Sequence, residues 1–388
     1  MANEISRRET LRRGLAATGL LAITVPDWAI PALAQGERQI AFTDVPDTYS
    51  PGDTTTRIRS LDIRTIDGQI TPRDKFFAIQ HYGRPEIDSA SHRLKITGLV
   101  DKPTELSVAD LKAMPTTELV AGYECSGNSG RIFQGLASNG RWTGVRLGDV
   151  LTRIGVKPKA REVVFFGADR KEENVVFRQQ TFGVEQQFGR SMSLENAMRP
   201  SPLLAYAMNG EPLTKEQGFP LRLVMPGWYG VANVKWLAEI QLQQDRYVGN
   251  FQARWYRTMM GEKDGDDVQS VETEVTRMHL KSVVARVSTE GSAHKILGFV
   301  LNDGTPLSSV EVKIDEGPWQ RADFDPSNTE FSWKLFSFRW EGATPGEHTI
   351  VSRATDVDGM VQPVEADLAL KQTFLEHNAQ FPRKVMVS

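Results

Sequence analysis

One cysteine stands in a stretch of residues that could carry out metal or nucleophilic chemistry. Cys125 lies in the segment Tyr-Glu-Cys-Ser-Gly-Asn-Ser-Gly, whose glycines allow a close backbone approach to whatever the sulfur binds. Because the chain of 388 residues has no second cysteine, this thiol cannot form an internal disulfide. Three roles stay open for it: a small buried side chain, a nucleophile with a histidine partner, or a thiolate ligand to a metal. The polar neighbours fit the first role poorly.

The other potential ligands narrow the choice of metal centre. The six histidines show no paired spacing of the kind that zinc sites use, and they are His81, His92, His279, His294, His348 and His377. A c-type haem needs a Cys-x-x-Cys-His segment and a common iron–sulfur cluster needs four cysteines, so both are excluded. A cysteine–histidine hydrolase stays open, although no local signature supports it. The remaining metal option is a cofactor that brings most of its own ligands.

The N-terminus predicts where this chemistry takes place. Ser6-Arg7-Arg8-Glu9-Thr10-Leu11 precedes a mildly apolar run at 14–25, and Ala32-Leu33-Ala34 has the small residues of a cleavage site. This pattern is typical of a twin-arginine export signal, which we assign to residues 1–34. Such signals serve proteins that cross the membrane folded, commonly because a cofactor is already inserted. We therefore expect a periplasmic protein with a bound cofactor.

The composition agrees with a soluble mature enzyme. Removal of the signal leaves about 350 residues, enough for two or three domains with substantial cores. A net charge of −3 and a sequence pI near 6.1 give no electrostatic footprint for nucleic acid. No later stretch approaches the roughly eighteen apolar residues that span a bilayer. We therefore expect neither a nucleic acid partner nor a membrane span.

The elements that must position Cys125 are short strands and helices. After an extended N-terminal arm at 35–60, the region 61–260 is predicted to be a mixed α+β domain. Its predicted strands lie at 93–100, 162–167 and 221–225, and its predicted helices at 107–114, with a serine cap, and 146–154. Six acidic residues with few apolar neighbours follow at 261–274, which predicts a solvated linker.

The last segment, 275–388, has the pattern of a β-sandwich. Val310, Val312 and Ile314 alternate with polar neighbours, as do Phe331 and Trp333, which is the period-two pattern of a sheet with one buried face. Strands are predicted at 282–287, 295–301, 310–314, 331–335 and 349–354, with turns at 302–304 and 356–359. We interpret this segment as an immunoglobulin-like sandwich whose role is association.

Several short blocks, taken together, resemble the sulfite oxidase family of molybdenum enzymes, and they occur in that family's order. They are Phe76-Phe77-Ala78-Ile79-Gln80-His81, Cys125-Ser126-Gly127-Asn128, Gly140-Arg141-Trp142-Thr143-Gly144-Val145-Arg146-Leu147, Phe165-Phe166-Gly167-Ala168-Asp169, Gly218-Phe219-Pro220-Leu221-Arg222-Leu223-Val224-Met225-Pro226-Gly227 and Asn233-Val234-Lys235-Trp236-Leu237. The resemblance covers most of the mature chain. It implies an α+β fold in which a sulfite-oxidase-type molybdopterin domain precedes an immunoglobulin-like dimerisation domain.

The resemblance also implies a molybdopterin cofactor, with Cys125 as the single protein ligand to molybdenum. A soft thiolate suits a redox-active metal, and coordination keeps the sulfur deprotonated. Five further side chains fall at positions that the family uses to bind the pterin and its phosphate: His81, Asp169, Gln217, Arg222 and Lys235. Gln217 stands where the family usually has a histidine.

Two more residues are predicted to act on the substrate. The family's active-site tyrosine corresponds to Tyr256, whose phenol can hydrogen-bond a substrate oxygen. Gly130 replaces a family arginine five residues after Cys125, so the adjacent Arg131 is predicted to contact the anion.

The resemblance implies a haem-free sulfite dehydrogenase, a homodimer that oxidises sulfite and passes electrons to a c-type cytochrome. Two alternatives lie within the family, a sulfane dehydrogenase subunit and a reductase of S- or N-oxides. A third alternative, a cofactor-free periplasmic binding or scaffold protein, belongs to another class.

Overall fold

The computed structural model describes residues 37–53, 56–265 and 267–388, so the predicted export signal at 1–34 lies outside the described residues. Strands dominate the described chain and the helices are short. The first thirteen strands are β1 (Arg38–Ile40), β2 (Ile58–Arg59), β3 (Ala78–Ile79), β4 (Leu94–Gly98), β5 (Thr104–Leu106), β6 (Thr117–Glu124), β7 (Ala137–Arg146), β8 (Glu162–Phe177), β9 (Gln180–Ser193), β10 (Leu203–Met208), β11 (Glu211–Pro212), β12 (Arg222–Val224) and β13 (Leu237–Gln243).

Ten more strands and four α-helices complete the described elements. The strands are β14 (Arg257–Asp264), β15 (Asp267–Glu274), β16 (Lys281–Glu290), β17 (Ala293–Leu301), β18 (Leu307–Ile314), β19 (Gln320–Arg321), β20 (Asp323–Phe324), β21 (Lys334–Trp340), β22 (Gly346–Asp356) and β23 (Arg383–Val387). The helices are α1 (Val108–Lys112), α2 (Leu147–Ile154), α3 (Leu194–Ala197) and α4 (Asn250–Ala253), with 3₁₀ turns at Ile63–Thr65, Gly130–Ile132, Gly230–Ala232 and Glu365–Leu368.

Both predicted helices are confirmed. They were predictable because the residues that begin and end them lie within or next to the helices themselves. Helix α1 begins after Ser107, whose hydroxyl accepts a hydrogen bond from the Asp110 backbone while the Asp110 carboxylate accepts one from the Ser107 backbone. This reciprocal capping satisfies two amide donors that the first turn leaves open. Helix α2 buries one apolar face and ends at Ile154; the next residue, Gly155, has a positive φ of 79°, which suits a residue without a side chain.

One mixed sheet and one antiparallel sheet form the α+β region. One has the strand order β5-β4-β13-β8-β9, in which β13 and β4 run parallel, and the other has the order β11-β10-β7-β6 with β12 also paired to β10. The predicted strands at 93–100, 162–167 and 221–225 are confirmed as β4, the start of β8, and β12. Buried side chains from both sheets pack in one continuous core.

The acidic segment at 261–274 differs from the linker that the sequence predicted. It lies in an antiparallel hairpin in which β14 pairs with β15 from Arg257 opposite Glu274 to Asp264 opposite Asp267. The side chains of β15 are mostly exposed, so the charged composition reflects solvation, as expected. Charge alone does not prevent strand pairing, because the backbone groups of β14 and β15 satisfy each other across the hairpin.

The N-terminal arm is also partly ordered as strands. Strand β1 pairs with β16, with Arg38 opposite Thr289 and Ile40 opposite Val287, and β2 pairs with β3. Without β1, strand β16 would be the edge of its sheet, with open backbone donors and acceptors that an extended segment can use. The arm predicted at 35–60 therefore adds a strand to the C-terminal sheet.

The C-terminal segment is built from two antiparallel sheets, as the sequence predicted. Their orders are β1-β16-β17-β21-β20 and β19-β18-β22-β23. The predicted strands at 282–287, 295–301, 310–314 and 349–354 fall within β16, β17, β18 and β22, but β21 begins only at Lys334, three residues after the predicted start. Trp333 precedes β21 because its backbone donates to the Asn139 side chain of the first region.

Candidate active site

Seven of the eight residues that the sequence assigned to the site line a single cleft in the α+β region. They are His81, Cys125, Asp169, Gln217, Arg222, Lys235 and Tyr256. The cleft wall is completed by aromatic and small residues, among them Phe188 from β9 and Trp236. Residues far apart in the chain are thus brought together.

Most of these side chains lie where a strand begins or ends. Cys125 follows β6, His81 lies two residues after β3, Lys235 lies two residues before β13, and Tyr256 directly precedes β14. Asp169 lies where the register of β8 against β9 shifts, between Phe166 and Arg170. Such irregularities redirect side chains, and this one lies beside the cleft.

Buried hydrogen bonds and one ion pair fix the loop that carries Cys125. The Cys125 amide donates to Leu136 O, and the Asn128 amide donates to Cys125 O, both at 2.9 Å. The side chain of Asn128 donates to Glu124 Oε2 at 2.9 Å, and Lys281 Nζ lies 3.0 Å from the same oxygen. Because Glu124 and Lys281 are each only 2% exposed, the loop rests on a buried ion pair.

The environment of the thiol favours a ligand over a free nucleophile. Burial raises the pKa of Cys125 to about 11 and the Glu124 carboxylate adds to this, while the Gly127 backbone and Lys281 act in the opposite direction. Reactive cysteines have lowered pKa values, so this thiol stays protonated at neutral pH unless a bound metal displaces the proton.

Tyr256 and His81 form a pair at the cleft. The Tyr256 hydroxyl lies 2.9 Å from His81 Nε2. Burial lowers the pKa of His81 to about 4, with smaller contributions from Lys235 and Arg57, so the imidazole is neutral. When Nε2 accepts from the phenol, Nδ1 carries the proton, and this buried Nδ1 has no hydrogen-bond partner among the described residues. It is therefore available to an acceptor in the cleft.

Two basic side chains, Lys235 and Arg222, also line the cleft. Lys235 Nζ donates to Ile79 O at 2.8 Å and to Glu216 O at 3.0 Å. The guanidinium of Arg222 donates to the backbone and side-chain oxygens of Gln217, each at 3.0 Å. Burial, together with a smaller effect of the Arg222 charge, lowers the pKa of Lys235 to about 7. An anion placed here would offset both effects.

Asp169 adds an open hydrogen-bonding position to the same cleft. Burial raises its pKa to about 6, against the opposing effects of its own backbone amide and of Lys235. Its Oδ1 is buried and has no partner among the described residues. Together with His81 Nδ1 and the basic side chains of Arg222 and Lys235, this oxygen fits a phosphorylated ligand whose ring is rich in hydrogen-bonding groups, such as a pterin phosphate.

The structure does not bring Arg131 to the cleft. Its side chain is exposed in the 3₁₀ turn Gly130–Ile132, and it is not among the cleft-lining residues. The Cα of Gly130 faces the ring of Phe381, where an added Cβ would lie 2.6 Å from the ring edge. This packing covers the inner side of the turn, and the next residue is left at the surface.

Two arginines near Tyr256 were missed by the sequence interpretation. Arg57 Nε donates to Gln80 O at 3.0 Å, next to His81, and its side chain is exposed. Arg190 is 1% exposed and lies on β9. The positive charges of both lower the pKa of Tyr256, although burial raises it more. Neither lies in a recognisable block of sequence, so only the folded structure reveals them.

In the described ranges, no three His, Cys, Asp or Glu side chains are grouped so as to hold a metal ion. Within the same ranges, no helix has the length and apolar character needed to cross a membrane.

Comparison with known proteins adds independent findings. Residues 81–251 match the family model described as "Oxidoreductase molybdopterin binding domain". The chain is 28% identical over 326 residues to mitochondrial sulfite oxidase of Mus musculus, covering 76% of this chain and 58% of that protein. It is 28% identical over 346 residues to sulfite oxidase of Arabidopsis thaliana, covering 77% of this chain and 83% of that one. The chain thus spans little more than half of the mouse relative.

A solved structure also matches along nearly the whole fold. It is the sulfane dehydrogenase SoxCD from Paracoccus pantotrophus, with a TM-score of 0.73, 26% sequence identity, and coverage of 89% of this chain and 90% of that chain. A nitrate reductase [NADH] of Ulva prolifera is 33% identical over 192 residues, which is 45% of this chain and 21% of that protein. The similarity thus extends to proteins with different named substrates.

Proposed function

The chain belongs to the sulfite oxidase family of molybdenum enzymes, and from this membership we propose that it oxidises sulfite to sulfate. In the overall reaction sulfite and water give sulfate, two electrons and two protons. We propose that the electrons leave one at a time to an external acceptor such as a c-type cytochrome.

The strongest support is the convergence of Cys125, His81 and Tyr256 on one cleft. The family's cofactor is Mo-molybdopterin, and the residues present fit it. Cys125 would bind the metal, and Arg222 and Lys235 would neutralise the phosphate of the pterin. The open hydrogen-bonding atoms of His81 and Asp169 would bind the ring system. When bound, the cofactor supplies an oxygen-transfer centre that accepts two electrons.

The chain's own residues orient the substrate and control the proton. The Tyr256 hydroxyl is held by His81 Nε2 at 2.9 Å, so its position is defined before a substrate arrives. Burial raises the pKa of Tyr256, which keeps the phenol protonated and able to donate to an anionic oxygen. Phe188 stacks on the His81 ring at 5.6 Å and excludes water from that side of the pair.

The cellular setting is proposed on the same basis. The N-terminal motif supports export to the periplasm, and the C-terminal sandwich supports a homodimer. An electron-accepting cytochrome would meet the enzyme in a small, transient contact, as redox partners commonly do.

A sulfane dehydrogenase activity is the second candidate. It is favoured by the SoxCD match, which covers 89% of this chain, and by the exposed position of Arg131 outside the cleft. With fewer cations at the cleft, a less charged sulfur substrate would be accommodated more easily.

A paired assay tests both candidates. Molybdenum-loaded protein is incubated with cytochrome c and either sulfite or glutathione persulfide, and its molybdenum content is measured in parallel. Sulfite-dependent reduction of cytochrome c at a metal ratio near one supports the first proposal. Persulfide-dependent reduction without sulfite turnover overturns it in favour of the second. The Cys125→Ser protein, prepared in the same way, is the control for metal-dependent reduction.

A further inference from the structure

A buried arginine lies directly behind the part of the cleft that contains Tyr256. Arg190 is two residues from Phe188 along β9, so both side chains point to the same face of the strand. Phe188 lines the cleft, and Arg190 is only 1% exposed. Its guanidinium therefore forms a second layer behind the cleft wall.

The contacts of Arg190 secure the chain on both sides of Tyr256. Its Nη1 donates to Phe251 O at 2.5 Å, and its Nη2 donates to Val275 O at 2.6 Å. The Val275 amide in turn donates to Tyr256 O at 3.1 Å. The Arg190 guanidinium thus connects helix α4, which precedes Tyr256, with Val275, which hydrogen-bonds to Tyr256.

The charge of Arg190 has no carboxylate partner within 4.0 Å among the described residues, and its buried Nε has no hydrogen-bond partner there. The acidic group that acts on it most strongly, Glu274, already binds Arg246 and Gln252. Burial lowers the pKa of Arg190 to about 10, so it still carries its proton at neutral pH. Its close partners are two backbone carbonyls, and a buried charge without a carboxylate in contact is costly unless another anion compensates it.

An anion in the cleft would provide that compensation. The positive charge of Arg190 reaches the phenol, because it lowers the pKa of Tyr256 against the larger effect of burial. Such a charge favours an anion beside Tyr256, and its effect is stronger than in water because both side chains are buried.

We propose that Arg190 is a positioning residue that fixes Tyr256 and supplies the buried positive charge for an oxyanion bound beside its phenol. The inference rests on the proposed function in taking that oxyanion to be a sulfur species such as sulfite or its product sulfate.

The test measures sulfate binding by molybdenum-loaded protein, in which the phosphate position is filled by the cofactor. The melting temperature is recorded against sulfate concentration for the parent protein, Arg190→Lys, which keeps the charge, and Arg190→Gln, which removes it. We expect the half-effective sulfate concentration of Arg190→Lys to stay within about threefold of the parent value. For Arg190→Gln, we expect this concentration to be at least about tenfold higher than in the parent. Should Gln prevent folding, Arg190→Met gives the same comparison.

Arg286 offers a matched control, because it is also a buried arginine that donates to backbone carbonyls, those of Arg64 and Ile66. Arg286→Lys should change the melting temperature but not the sulfate dependence. The proposal would be overturned if the parent and Arg190→Gln bound sulfate with equal affinity. It would also be overturned if Arg190→Lys and Arg190→Gln weakened sulfate binding equally. If the parent protein fails to oxidise sulfite but still shows charge-dependent sulfate binding, only the proposed function fails.

Discussion

Lys281 and Glu124 form a buried ion pair that links the C-terminal sandwich to the loop that carries Cys125. Lys281 Nζ lies 3.0 Å from Glu124 Oε2, and each side chain is 2% exposed. Lys281 is the first residue of β16, and Glu124 is the last residue of β6, directly before Cys125. The sequence suggested only an association role for the sandwich, whereas the structure makes it part of the support for Cys125.

Removing one partner of this pair should destabilise the protein. Lys281→Met leaves the Glu124 carboxylate buried without a counter-charge, which should lower the free energy of unfolding by about 3–5 kcal/mol and reduce the molybdenum content. Urea unfolding and metal analysis measure both. The control is Lys384→Met, which breaks the exposed pair with Glu347 and should cost at most about 1 kcal/mol. The double variant Glu124→Gln/Lys281→Met should regain much of the loss, and an unchanged urea midpoint for Lys281→Met would contradict the prediction.

Cys125→Ser should abolish molybdenum-dependent activity and leave the fold intact. A hydroxyl is a poor replacement for a soft thiolate ligand. Metal content, activity and the circular dichroism spectrum are the measurements. Ser126→Ala serves as the neighbouring control, because its buried hydroxyl has no partner among the described residues and its removal should be nearly neutral. Activity of Cys125→Ser close to that of the parent would refute the ligand role.

Tyr256→Phe should slow turnover by about 10- to 100-fold while cofactor loading stays near that of the parent. The substitution removes the hydroxyl that contacts His81 and keeps the packed ring. Steady-state kinetics with parallel metal analysis separate the two effects. Tyr247→Phe is the matched control, since Tyr247 packs on Phe166 and does not line the cleft. Equal slowing by both substitutions would exclude a specific role for the Tyr256 hydroxyl.

Arg57→Met should raise the KM for sulfite by about tenfold with a smaller effect on kcat. Arg57 is anchored at Gln80 O through Nε, and its charge acts on both His81 and Tyr256. The comparison is with Arg178→Met, which alters an exposed arginine at the turn between β8 and β9. A KM that does not differ between the two variants would show that Arg57 does not attract the substrate.

The cofactor-free protein should become more stable relative to Lys235→Met as the pH rises from about 7 to 8.5. The pKa of Lys235 is about 7 in the folded state, below the ordinary value of 10.5, so the unfolded chain binds more protons in this range. The free energy of unfolding then rises with pH, by up to about 1.4 kcal/mol per unit for one proton. Urea unfolding at several pH values measures the difference between the two proteins. A difference that stays constant with pH would show that the Lys235 pKa is not lowered.

Most of the cleft residues could be predicted because they lie in short blocks of sequence near the end of a strand. Cys125 directly follows β6 and Lys235 lies two residues before β13, so formation of each strand also fixes the position of its neighbouring site residue. Arg131 shows the limit of this reasoning. Its distance along the chain from Cys125 suggested a substrate contact, but packing of Gly130 against Phe381 leaves it at the surface.

The elements show the same division. The helix at 107–114 was predictable from Ser107 and Asp110, because a capping box acts within four residues. The hairpin at 257–274 was not predictable from the sequence. Its acidic composition indicates solvent exposure but does not indicate that β14 pairs with β15. Pairing of β1 with β16 joins residues about 250 positions apart, and no local pattern encodes it.

The sequence by itself determined the single thiol, the short blocks that resemble the molybdenum family, and the alternating pattern of the C-terminal sandwich. These properties depend on residue type and short spacing. Only the tertiary structure decided which distant charges surround that chemistry, namely Lys281 beneath Cys125, Arg190 behind Tyr256 and Arg57 beside His81. The physical reason is that a buried charge interacts most strongly with groups within a few ångströms, and the folding of the chain determines which groups those are.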